Sequence, residues 1–425
     1  MEPLFLAVVC GCKAGLFRDA LHEIYIPRIQ RGNASFAAKT LGVRGALLSI
    51  LVRFFSRGRW GFFDQTMFQD QSLTDEDQLF ILMQAGMYLA ATRGHSAPEA
   101  RICYERAGCL CSLLGRPLPL YAALMGQWRY SFLTDKLTAT MQIAKQIYSL
   151  AQEQNNLALM IGAHQALGTT HYFIGNFEAA RQHSACGVQI WRSGDIPTLI
   201  EEVSTPAVIC LCYQALCEWH FEEIALCQLT IAEAISLAQE LNDMHALAVA
   251  LYIAGFLSTF ERNTAKVERV ASDLIELSTL QNFPLWLAGG EVLRGWARSL
   301  SGRPTEGISL IDAGILNHRA TGSIRAVPFF LALKAEALHQ ADRTSEALET
   351  IKEAEALVEK SEGRWWCAEL HRLRGVFLAA IGGAQIQIEA SFRAAIRTAK
   401  HQKSVSLATR AESSYAEYRR RSGKL

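Results

Sequence analysis

The chain has 425 residues, half of them apolar, with 42 Lys plus Arg against 41 Asp plus Glu. That length suits several domains or one extended array, and the balanced charge leaves no electrostatic footprint for nucleic acid or an anionic membrane. Eleven cysteines, an odd number in a chain too long for a disulfide scaffold, read as free thiols of a reducing cytosol.

The opening stretch, MEPLFLAVVCGCKAG, is apolar. It carries Glu2, has no early Lys or Arg, and is followed by no small-x-small cleavage site, so it does not read as an export signal. Residues 1–93 are the least regular part. The turn Gly15 to Ala20 predicts a first helix pair, and a second pair is expected to meet near Arg57-Gly58-Arg59-Trp60-Gly61. Phe62 to Ser72 lacks period and reads as a loop. Thr74 is a candidate N-cap, Asp77 a first-turn acid, and a helix is expected from Asp77 to Arg93. Residues 94–425 read as a helical repeat array, one continuous solenoid with the segment before it.

The array is organised around LGTTHYFIGNFEAA, residues 167–180: a helix with the small residue Gly168, a turn at Gly175-Asn176, and a second helix opening at Phe177 with Ala180 one turn in. Counting back from each later or earlier turn gives Trp128, Gly168, Tyr213, Gly255, Gly295, Ala335 and Gly375. The matching second-helix positions are Thr140, Ala180, Ala225, Val267, Gly307, Ala347 and Ala390, spaced 40 to 45. A fixed period of that length marks a solenoid whose units cannot bury their apolar faces alone. In residues 345–360, Ala347, Leu348, Ile351, Ala354, Leu357 and Val358 form one apolar stripe. Thr344 or Ser345 is the expected cap there, and Gly363 the expected left-handed residue beyond the end. Small residues such as Gly295 are expected to let helices approach closely, with Gly295→Leu overpacking the crossing and Gly295→Ala far milder. Ser193 to Pro206 is a longer connection. The uncharged run between Glu153 and Glu178 holds too many polar residues for a bilayer span. The last helix ends in the basic Arg419-Arg420-Arg421.

The repeat resembles the tetratricopeptide pattern, with its small residue in the first helix, a Gly-rich turn and Ala in the second. Its greater length is similar to MalT-like repeats. The chain resembles the C-terminal repeat region of bacterial signalling ATPases, including those fused to class III adenylate/guanylate cyclase domains. The stretches LYAALMGQWRYSF (120–132), ALGTTHYFIGNFEAAR (166–181), NFPLWLAGGEVLRGWA (282–297) and RWWCAELHRLRGVFLA (364–379) carry the likeness, which runs over residues 75–400. The resemblance implies an all-α fold, an α-solenoid of tetratricopeptide-like helix pairs forming a right-handed superhelix. The catalytic modules of that family are not in this sequence. No G-x-x-x-x-G-K-[ST] or G-x-S-x-G occurs, so phosphate binding and serine chemistry have no anchor. The chain is therefore expected to be a fragment of a larger ancestor or one subunit of a split system.

Other constellations read as structure. The C-x-C pairs Cys10/Cys12, Cys109/Cys111 and Cys210/Cys212 lack zinc-site spacing. His164 and His171, seven apart, are expected as satisfied interior or groove histidines. Trp286, Trp365 and Trp366 are expected as wedges between repeats. In tetratricopeptide arrays the concave wall comes from first helices, three before and one after the small residue. By that resemblance the wall here holds Met125 and Arg129, Gln165 and Thr169, Tyr252 and Phe256, Val292 and Trp296, Ala332 and Glu336, the alternative being that several of these pack inward once the superhelix forms. Its mixed aromatic and polar character suits a peptide or protein segment better than nucleic acid. The sequence thus predicts a cytoplasmic, non-catalytic scaffold or sensor that needs no cofactor or metal. Its partner is a protein, such as a separate ATPase or cyclase module, with no nucleic-acid or membrane partner. The alternative is a domain sensing a small-molecule inducer.

Overall fold

The structure, a computed structural model, describes residues 1–32, 44–55, 68, 72–134, 136–194 and 205–422. The expected helix-pair turn at Arg57 to Gly61 lies outside these residues, as do most of the Phe62 to Ser72 loop and the middle of the Ser193 to Pro206 connection. Regular structure among the described residues is helical apart from an isolated antiparallel bridge between Phe55 and Phe68. The chain divides into two compact units, Met1–Tyr130 and Ser131–Leu425. The boundary expected at residue 93 falls inside the first unit.

The first unit holds α1 (Glu2–Lys13), α2 (Phe17–Asp19) running on as a π-helical segment Ala20–Gln30, α3 (Arg44–Leu51), α4 (Asp75–Arg93), α5 (Pro98–Leu114) and most of α6 (Pro117–Thr134). Helix α4 starts two residues before the expected Asp77 because Thr74 and Asp77 form a reciprocal capping box. Thr74 Oγ1 accepts from Asp77 N at 3.2 Å, and Asp77 Oδ2 accepts from Thr74 N at 3.1 Å, which satisfies two otherwise orphaned donors. Inside the unit, Gln30 Nε2 donates to the hydroxyls of Tyr25 and Tyr88 at 3.0 and 2.9 Å. These three buried side chains tie the π-helical segment to α4.

The second unit continues with α7 (Leu137–Glu153), α8 (Leu157–Ile174), α9 (Phe177–Arg192), α10 (Pro206–His220), α11 (Ile224–Glu240), α12 (Met244–Phe260), α13 (Thr264–Gln281), α14 (Pro284–Leu300), α15 (Pro304–Ala320), α16 (Val327–Gln340), α17 (Thr344–Ser361), α18 (Cys367–Ala380), α19 (Gln385–His401) and α20 (Val405–Arg421). Each helix packs on the next, and each even-numbered helix from α8 on also packs on the next even-numbered one. The result is an all-α solenoid of tetratricopeptide-like helix pairs, with first helices forming the inner layer and second helices the outer. Local chemistry sets the pair boundaries. Asn156 caps α8 by accepting from Ala158 N and Leu159 N at 3.0 and 3.2 Å, Gly175 ends it at φ 90°, and Asn176 caps α9 by accepting from Ala179 N at 3.2 Å. A left-handed residue costs glycine nothing and closes the last turn. Asp243 and Asn263 cap α12 and α13 in the same manner.

At α17 the apolar stripe is buried except for the half-buried Leu357, while Glu349, Lys352, Glu353 and Lys360 face solvent. Both expected caps differ. The N-cap position is Arg343, without a side-chain cap bond, and the left-handed residue is Glu362 at φ 61°, one before Gly363. The Glu362 carboxylate compensates by accepting from Thr138 N and Oγ1 at 2.9 and 2.6 Å.

The α14–α15 crossing is closer than the sequence suggested. A Cβ on Gly295 would lie 2.6 Å from the Gly307 carbonyl oxygen and 3.0 Å from Ile311 N. The reciprocal Cβ on Gly307 would strike the Gly295 carbonyl oxygen and Ser299. The obstacles are backbone atoms, which cannot rotate away. Gly295→Ala is therefore not the mild change the sequence suggested. It is expected to destabilise by about 1–3 kcal/mol through overpacking, read by urea denaturation followed by circular dichroism. Gly45→Ala, in a helix with nothing within 4 Å of the added carbon, is the control and should hold or gain stability. A Gly295→Ala protein as stable as the parent would show that the two helices have room to part.

Inner helices are buried on nearly every face. Helix α12 buries Ala246, Ala248 to Ala250 and all of Tyr252 to Phe260. Outer helices cover one side, and the following turn of the solenoid covers the other. The turn before α16 meets the end of α6: Ile324 N donates to Leu133 O at 3.0 Å, and the Arg325 guanidinium donates to Phe132 O. The turn before α18 meets the end of α8, where Trp365 N donates to Phe173 O at 3.2 Å. The turn before α20 meets the end of α10, through Ser404 Oγ on His220 Nδ1 at 2.8 Å and Ser406 Oγ on Trp219 O. Arg410 Nη2 donates to Phe260 O at the end of α12, at 2.6 Å. The last carbonyls of a helix have no partner within it. Here donors from about five pairs further along the chain supply one. An aromatic core fills the space enclosed, with Trp365 within 5.9 Å of Tyr172, Phe173, Phe256, Phe329 and Trp366. No helix among the described residues is long and apolar enough to cross a membrane.

Candidate functional site

The expected concave wall is mostly interior. Met125, in the first unit, is buried, as are Gln165, Thr169, Tyr252, Phe256, Val292, Trp296 and Ala332. Arg129, also in the first unit, and Glu336 are half-buried. For Tyr252 and Phe256, within the second unit, the physical reason is the later solenoid turn, whose Phe329, Phe330 and Trp365 pack against them. Trp365 and Trp366 are core, as expected, while Trp286 is half-buried on Tyr252 and donates to His245 Nε2 at 3.3 Å.

The register map nonetheless brings chemistry together at one edge of the inner layer. Trp296 on α14 and Glu336 on α16 occupy equivalent positions forty residues apart, and the indole Nε1–H donates to Glu336 Oε2 at 2.8 Å. The other carboxylate oxygen accepts from Arg262, whose guanidinium lies 5.3 Å over the Trp296 ring. Below them, Glu369 near the start of α18 accepts two bonds from Arg372, at 2.9 and 2.8 Å, and one from Arg410 at 3.2 Å. Burial pushes the Glu369 carboxyl up, but the charges and hydrogen bonds of Arg372 and Arg410 outweigh it and hold the group down at about 2. Arg410 also stacks 5.4 Å over the Trp219 ring, and Arg372 Nη1 reaches Ser414 Oγ at 3.1 Å. Between the two carboxylates lies a cavity of about 10 Å³, with Phe329, Leu333 and Leu373 among its apolar walls. That is room for about one water. The buried Trp366 also borders it and has an indole N–H with no partner.

Arg262, Glu369, Arg372 and Arg410 were not singled out from the sequence. Arg410 follows Glu369 by 41 residues, close to the repeat period, which is the one signal that could have paired them. The site holds two carboxylates among three guanidiniums, and one indole donor without a partner. Its charged atoms are hydrogen-bonded to one another. The eleven cysteines are free. Burial pushes the Cys103, Cys210 and Cys227 thiols up to about 12, which leaves them inert. Among the described residues, no group of three or more His, Cys, Asp and Glu side chains is placed to hold a metal.

No protein-family model matches the chain. An uncharacterized protein of Rhizobium meliloti (strain 1021) is 28% identical over 188 residues, 44% of this chain and 18% of that protein. The chain therefore matches less than a fifth of the length of that relative. Among solved structures, a Rap protein complexed with competence and sporulation factor aligns with a TM-score of 0.58 at 13% identity, over 86% of this chain and 99% of that one. A signal-transduction ATPase with numerous domains and a tetratricopeptide repeat sensor, from Pyrococcus horikoshii, aligns at 14% identity with a TM-score of 0.40, over 90% of this chain and 60% of that one. At such identities the likeness to the Rap protein is one of fold.

Proposed function

We propose that the chain is a non-catalytic helical repeat module that binds a protein partner in a bacterial signalling system. The observation that carries the reading is the Arg262–Trp296–Glu336 cluster. The Arg262 side chain is 46% exposed, lies over the buried Trp296 ring and pairs with Glu336, whose side chain is 11% exposed. Interfaces concentrate their energy in such aromatic and Arg anchors. Of the wall Met125, Arg129, Gln165, Thr169, Tyr252, Phe256, Trp296 and Glu336, the contact proposed is Glu336 with Arg262 beside it, the buried Trp296 ring backing the pair from within. The partner we propose is an ATPase or cyclase module, by the resemblance of the repeats, in the cytoplasm where free thiols persist.

The test is affinity purification from native cells with the intact chain, followed by titration of the recovered module. Arg262→Glu is expected to weaken that complex by about 1 kcal/mol or more. Glu349→Lys on the outer face of α17, where Glu349 pairs with its exposed neighbour Lys352 at 2.7 Å, should leave it unchanged. Loss confined to Glu349→Lys would move the binding face to the outside. A metabolite retained in native mass spectrometry, with no protein partner, would replace this reading with that of a small-molecule sensor.

A further inference from the structure

His164 and His171 lie two turns apart on α8, and His183 on α9 sits between them. The His164 and His183 rings are 5.3 Å apart and tilted by 42°, while His171 and His183 are 5.6 Å apart and parallel to within 9°. The His164 and His183 Nδ1 atoms are 3.1 Å from each other. Tyr148 of α7 packs edge-on against both rings, at 5.5 and 6.2 Å. His164 is buried, whereas His171, His183 and Tyr148 are half-buried, so the group lies close to solvent.

We propose that His164 and His183 form a two-imidazole chelate for a borderline divalent transition metal such as Zn²⁺, Co²⁺ or Ni²⁺, with water completing the coordination. Two metal–nitrogen bonds of about 2.0–2.1 Å meeting near the tetrahedral angle place the nitrogens about 3.3 Å apart. The observed spacing is within a few tenths of that. In the metal-free pair, one Nδ1 carries the proton and the other accepts it. Binding moves that proton to Nε2 of the same ring, and a small rotation of the half-exposed His183 ring turns both lone pairs to a common point. Both imidazoles then stay neutral and no redox step is involved. Imidazole ligands select these ions over Mg²⁺ and Ca²⁺. His171 lies parallel to His183 rather than converging with it, and is not a ligand. The metal would join the two helices of one pair at their outer edge, remote in sequence from the Arg262 cluster.

The test is titration of the full chain with Co²⁺, by calorimetry and absorption. One site is expected that lacks thiolate charge-transfer absorption, which separates it from any cysteine site, and that Zn²⁺ displaces. His183→Gln and His164→Gln should each weaken it by about tenfold or more, and His171→Gln should leave it intact. Circular dichroism melts of the metal-free variants check folding, with the half-exposed His183→Gln as the decisive one. Equal affinity in the parent and His183→Gln, or a site showing thiolate absorption only, would overturn the proposal.

Discussion

Trp365→Ala is expected to cost about 3–5 kcal/mol, the range for removing a fully buried large aromatic. The side chain is 1% exposed and its ring meets five aromatic neighbours drawn from α8, α12, α16 and its own turn. Those neighbours belong to successive solenoid turns, so the cavity would open between turns rather than within one pair. Urea denaturation followed by circular dichroism measures the loss. Trp286→Ala, at a half-buried ring on the same layer, should cost distinctly less. A loss at Trp365 below about 1 kcal/mol would mean that the inner face stands open in solution, since an exposed ring has little burial to lose.

Glu369→Ala is expected to cost about 3–5 kcal/mol for a different reason. Removing one member of a buried ion pair leaves its partners charged without compensation. The Arg372 side chain is 13% exposed and Arg410 22%, and both point at the vacated position. The parent's stability should also depend on acid. The folded carboxyl sits at about 2 against an ordinary 4.5. The unfolded chain therefore binds the proton first as pH falls. The contribution is complete above about 4.5 and is lost progressively as pH drops toward 2. Denaturation midpoints collected between pH 7 and 3 should fall more shallowly in Glu369→Ala than in the parent. Parallel slopes would assign the acid sensitivity to other groups.

The pair-by-pair architecture was legible because its causes are local. Gly175 and Asn176 dictate their turn by backbone freedom and side-chain capping, and the stripe in residues 345–360 dictates which face is buried. The misplaced left-handed residue at α17 shows the limit of that logic. Glu362 adopts the conformation expected of Gly363, as do Glu222, Arg262 and Lys403 at other helix ends, and its carboxylate accepts from Thr138, 224 residues away. The wall residues were correctly assigned to first helices, and Trp296 and Glu336 do meet at their matching register. That several of them pack inward is the alternative the sequence leaves open, because the tetratricopeptide map does not say how tightly the turns close on the wall. One signal was present. The run between Asp243 and Glu261 is apolar on every face, and a helix hydrophobic all round must be covered all round. The clusters that define the candidate site, Arg262 with Glu336 and Glu369 with Arg410, join helices whose adjacency depends on how tightly the solenoid winds. The periodicity of one pair does not contain that curvature. The same holds for His183, whose meaning appears only when α8 and α9 are set side by side.

The capping of early helix ends by late turns changes how this array can be assembled. In an ordinary repeat protein each unit contacts only its neighbours, so stability is nearly a sum of local terms and folding can nucleate anywhere and spread. Here Phe132, Trp219 and Phe260 wait for Arg325, Ser406 and Arg410, across 193, 187 and 150 residues. Such separations raise contact order, and with it the entropy of loop closure that must be met before those contacts repay it. A nascent chain can stack its first pairs as it leaves the ribosome, but it cannot seal them until α20 has been synthesised. Until then the aromatic interior between the turns is exposed to solvent and to other chains.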